Sequence, residues 1–128
     1  MRHGNAVTVD GPYGDTVQRV RDELKAEGFG VLTEIDVSAT LREKLGEQME
    51  DYVILGACNP PLAHQAQSDR SIGLLLPCNV VVRATSAGTL VEALDPQIMV
   101  GLSDNADLKS VADDAAARLE RVLGRVAA

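Results

Sequence analysis

Two cysteines, each followed directly by an asparagine, hold most of the chemistry this chain can offer. They sit in Gly56-Ala57-Cys58-Asn59-Pro60-Pro61-Leu62-Ala63-His64 and in Leu76-Pro77-Cys78-Asn79. Each pair adjoins a run that reads as a β-strand. Cys58 falls between a strand end and a helix start, where backbone N–H groups and the positive end of the helix dipole would stabilise a thiolate. That makes it a candidate reactive thiol or soft-metal ligand. The competing reading is a small residue filling a strand-to-helix corner, the commonest fate of a free cysteine. Cys78 on its own reads as core. It joins Cys58 only if the two strands are neighbours and both thiols meet at one end of the sheet, where α/β ligand sites form. His64 would then complete a soft-ligand set with Cys58 and Cys78 for zinc or monovalent copper. The spacing matches no paired Cys-x-x-Cys motif.

The neighbouring polar residues divide between cap and ligand. Asn59 suits a helix N-cap, its side-chain oxygen taking an N–H from the next turn. Asn79 either bonds a ligand or closes a turn, and both readings stand. Glu34 is either a general base beside a thiol or a solvent-side strand residue paired with Lys44; the second reading is preferred. His3 is terminal and is set aside.

The elements that must position these residues follow from period and punctuation. A strand over residues 6–9 ends at the turn signal Asp10-Gly11-Pro12. Residues 16–27 form a helix with Asp15 as N-cap, Val17, Val20 and Leu24 on one face, and Gly28 as the stop. Residues 29–35 form a strand with Phe29, Val31, Thr33 and Ile35 on one side and Leu32 and Glu34 on the other. A second helix begins near Ser38 or Thr40, with a Thr40/Glu43 capping box, and Gly46 weakens or ends it. Residues 52–57 are a strand whose consecutive Val53, Ile54 and Leu55 call for burial on both faces. Pro60 and Pro61 open a helix reaching about Gln67. Residues 72–76 are too short to classify by period. Residues 79–84 and 89–94 form a hairpin around Gly88, and a short turn carries Ile98 and Met99. A long amphipathic helix over residues 107–126 repeats Leu108, Val111, Ala115, Leu119, Val122 and Val126. Its acids lead, and Arg118, Arg121 and Arg125 trail. The expected fold is α/β in the α+β sense: a two-layer sandwich of a mixed, roughly five-stranded sheet against helices, as one domain over residues 1–128.

Composition narrows the function classes. One Phe, two Tyr and no Trp in 128 residues leave little to stack on bases. The core must be built from Val, Leu, Ile and Ala. A formal net charge of −7, with no basic patch, speaks against nucleic-acid binding. No run approaches a membrane span and no signal-peptide pattern opens the chain, so a reduced, cytoplasmic protein is expected, with no membrane partner. No Ser/His/Asp signature, phosphate loop or zinc-protease motif occurs.

Three stretches carry a family resemblance. Gly28-Phe29-Gly30-Val31-Leu32-Thr33-Glu34-Ile35-Asp36-Val37, with Thr40-Leu41 and Lys44-Leu45-Gly46, is the first. Gly56-Ala57-Cys58-Asn59-Pro60 with Leu62-Ala63, then Gly73 to Val80, is the second. Glu92-Ala93-Leu94-Asp95-Pro96 is the third. In this order they resemble the domain-of-unknown-function family three hundred and two. The resemblance implies a small two-layer α/β domain that tends to dimerise, and it implies no activity. The preferred functional reading is therefore a homodimeric binding module with a small-ligand or soft-metal site near Cys58 and Cys78. An interaction domain without site chemistry comes second and a thiol-dependent enzyme using Cys58 third. The residues specify no cofactor.

Overall fold

The computed structural model describes residues 4–103 and 105–128; His3 lies outside them. Five strands form one sheet: β1 (Gly4–Val9), β2 (Gly30–Asp36), β3 (Tyr52–Cys58), β4 (Cys78–Thr85) and β5 (Gly88–Leu94). Their order across the sheet is β1-β5-β4-β3-β2. Between and after them come α1 (Tyr13–Ala26), α2 (Val37–Leu45), α3 (Pro60–Ala66), a 3-10 helix (Arg70–Leu75), α4 (Gln97–Leu102) and α5 (Leu108–Ala127). This is the expected two-layer α+β sandwich. The sheet, however, is antiparallel at every described pairing, not mixed. The helical segments between β2 and β3 and between β3 and β4 turn the chain back beside the strand it has just left. Among the described residues only the β1-α1-β2 connection crosses the sheet, and it ends at the opposite edge, so no parallel neighbours result there.

Local chemistry sets the element ends. α1 starts after Pro12, and the Thr16 hydroxyl donates to the Pro12 carbonyl at 2.9 Å, so the expected Asp15 cap lies instead inside the first turn. Asp36 caps α2, accepting from the Ala39 N–H and the Ser38 hydroxyl, both at 2.9 Å. Those bonds, the Ala39 one foremost, hold its carboxyl below the usual range. The Thr40/Glu43 capping box is therefore not the helix start. Gly46 ends α2 in a left-handed conformation, φ 67°, which costs glycine little. In β2 the register shifts between Val31 and Thr33. This bulge at Leu32 overturns the expected alternation: Val31 pairs with Ala57 on the covered face, while Thr33 and Ile35 fall on the other.

The core lies between one sheet face and the helices. Val20 and Leu24 of α1 and Leu119 and Val122 of α5 belong to one buried cluster with Val53, Leu55, Val80, Val82 and Val91. Each such side chain contributes about 1.5–3 kcal/mol on burial. The alternate residues, Ile54, Val81, Leu90 and Leu94 among them, are only half-buried and stand outside that cluster, and Ile35 is 50% exposed. One face is thus packed and the other left open. No described helix is long and apolar enough to cross a membrane.

Candidate functional site

β3 and β4 are neighbours, and Ala57 stands opposite Cys78 in the register. The two thiols therefore come to the same end of the sheet. Both line one half-open cavity of about 400 Å³, bounded by α3, α5, the end of β2 and the approach to β4. Phe29, Ala57, Leu62, Met99, Val111 and Ala115 give it an almost wholly apolar wall. Volume and lining are those of a small-molecule pocket.

Gly56 keeps this end of the sheet in shape. A Cβ there would meet the Pro77 Cγ at 2.8 Å and collide with the Thr33 hydroxyl. The bare glycine lets the chain entering β4, and the edge strand β2, close over β3 where the cavity begins. Asn59 does the same for the helical side. Its Oδ1 accepts the Leu62 N–H and its Nδ2 donates to the Glu27 carbonyl, each at 3.3 Å. Arg118 donates to that same carbonyl at 2.9 Å. The N-cap role expected of Asn59 is present, and its second bond fastens α3 to the end of α1.

The two thiols differ. Cys58 is half-buried, whereas Cys78 is buried. Burial, and after it the nearby Cys58, push the Cys78 thiol up to about 11. At neutral pH Cys78 is a protonated, uncharged wall. Every buried side-chain nitrogen and oxygen among the described residues already has a hydrogen-bond partner. The pocket therefore presents hydrophobic surface and sulfur, with no buried polar group waiting for a ligand.

The other expected residues lie elsewhere. His64 is exposed on α3 and absent from the cavity wall. The Cys58, Cys78 and His64 metal set is not assembled: no three His, Cys, Asp or Glu side chains among the described residues gather as a metal site. On a helix only some positions face inward, and here Leu62 and Ala66 take them. Glu34 is likewise outside the wall and pairs with Arg21 of α1 at 2.9 Å, not with Lys44. Lys44 is exposed near the end of α2, away from the cavity lining. Asn79 is exposed, opposite Gly56 on the open face, and lines a separate groove with Leu94 and Leu102. Phe29, Met99 and Ala115, which the Cys-Asn motifs do not indicate, complete the wall. The lone phenylalanine just past Gly28 was the one signal available; Met99 and Ala115 enter only through tertiary packing.

Comparison with known proteins agrees with this architecture. A family model described as a domain of unknown function, DUF302, matches residues 5–126. The crystal structure of an uncharacterized conserved protein DUF302 from Bacillus stearothermophilus is similar at 32% identity, with a TM-score of 0.91, over 98% of this chain and 99% of that one. No curated protein matches.

Proposed function

The chain belongs to the DUF302 family, a domain of unknown function, and from that premise we propose that it is a homodimeric binding module whose Cys58/Cys78 cavity takes a small apolar molecule. The observation that carries this reading is the apolar pocket of about 400 Å³ with both cysteines in its wall. A soft metal is the weaker occupant, because binding it requires deprotonating Cys78 against the burial that holds its thiol at about 11. Two free cysteines in one pocket also fit a reducing, cytoplasmic setting.

A solvent-sensitive apolar dye such as anilinonaphthalene sulfonate tests the pocket. Ala63 lines it without being part of the buried core, so Ala63→Phe should fill it while leaving the fold intact. We expect the folded protein to bind the dye and Ala63→Phe to weaken binding at least about tenfold, a loss of about 1.4 kcal/mol, with far-UV circular dichroism unchanged. Equal binding by both proteins would remove the cavity reading. Stoichiometric monovalent copper that is lost in Cys58→Ser would favour the metal instead. Selective alkylation of Cys58 by iodoacetamide well below the pH of ordinary thiols would favour the enzyme.

A further inference from the structure

We infer that the open face of the sheet is where a second copy of this chain docks, sheet against sheet. The inference rests on the homodimeric part of the reading above and supplies its surface. An antiparallel sheet with one solvated face normally alternates apolar and polar residues along each strand. β3 and β4 do not: Val53-Ile54-Leu55 and Val80-Val81-Val82 are apolar at successive positions. The sequence is written for cover on both faces, and the described helices supply it on one. Ile35, Ile54 and Val81 run in register across three strands of the other face; the row meets Glu92 on β5, and Leu90 lies one same-face position along, diagonal to Val81.

Charge selects the occupant. The chain carries a net charge of −7, so two copies repel wherever acids meet acids. The centre of this face is balanced, with Arg83 and Glu92 3.5 Å apart on β4 and β5. Glu92 stands opposite Val81, and Arg83 opposite Leu90. A two-fold axis lying between the two faces, through the midpoint of this ion pair and perpendicular to the line joining its charges, would lay each arginine toward the other copy's glutamate, the self-complementary arrangement an isologous dimer requires. Aligned packing of the two sheets then buries the apolar rows between them.

The test is light scattering on the full chain at low salt, with Arg83→Glu and Glu92→Arg prepared separately and mixed. We expect the unaltered protein to be a dimer. Each reversal makes its own face single-signed and should raise the dimer dissociation constant roughly tenfold or more. Mixing the two variants should restore dimers, because an acidic face then meets a basic one. Ile54→Asp should also dissociate the dimer, and retained helical dichroism shows that each variant is folded. If the unaltered protein is a dimer that these changes leave intact, or if the mixed variants stay apart, this surface is wrong although the protein still dimerises. If the unaltered protein is a monomer, both the surface and the homodimeric reading fall, while the dye result on the cavity stands.

Discussion

Asn59 is the residue on which the pocket's helical wall depends, since one side chain caps α3 and grips the carbonyl of Glu27. Asn59→Ala should lose both bonds and about 1–3 kcal/mol of stability. Asn59→Ser keeps a capping oxygen but is too short to replace the amide, so it should fall between the two in urea denaturation. Identical losses for both variants would show that the grip on Glu27 contributes nothing. The cap was legible in the sequence because Asn-Pro-Pro is local grammar: a capping amide, then residues with no N–H to satisfy. The grip was not legible, because its acceptor lies 32 positions away and is exposed by the stop at Gly28, φ 84°. Cys58 and Cys78 show the same division. Their placement at strand ends could be read, whereas their shared cavity needed the antiparallel register of β3 and β4.

The packing of α1 on α5 is fixed at the surface by ions. Glu27 accepts from Arg121 at 2.9 Å and Arg125 at 2.8 Å, and Arg125 also reaches Glu23. Hydrogen bonds from Arg121 and then Arg125 lower the Glu27 carboxyl from its ordinary 4.5 to about 2. A depressed carboxylate stabilises the fold fully above its unfolded value, and that contribution disappears as pH falls from 4.5 toward about 2. Glu27→Gln should therefore cost about 1–2 kcal/mol at neutral pH. Urea midpoints of the two proteins should converge as the solution is acidified through that window. A gap that stays constant would assign the effect to packing. The period of α5 shows the long helix in the sequence, and its trailing arginines suit the helix dipole. Their use against Glu23 and Glu27 depends on how two helices cross, which no single-helix pattern contains. The Leu32 bulge escaped for a similar reason: a register shift belongs to a pair of strands.

At the level of the whole molecule, one buried cluster joins residues from α1, α3, α4 and α5 and from β3, β4 and β5. Unfolding in urea should accordingly be a single transition. Loss of helical dichroism and exposure of Cys78 to a thiol reagent should share one midpoint; separate midpoints would mean that the pocket end opens as its own unit. The layer architecture could be read from the order of elements, but the strand order could not, since long-range pairing decides it. That order carries a consequence for how the protein is made. β1 sits at one edge with β5 as its sheet neighbour, Gly4 against Leu94. During synthesis β1 emerges well before β5, and until β5 arrives it is a nascent strand with unpaired backbone, the condition in which growing chains seek wrong partners. The ribosome therefore finishes the hairpin before the first strand has its place.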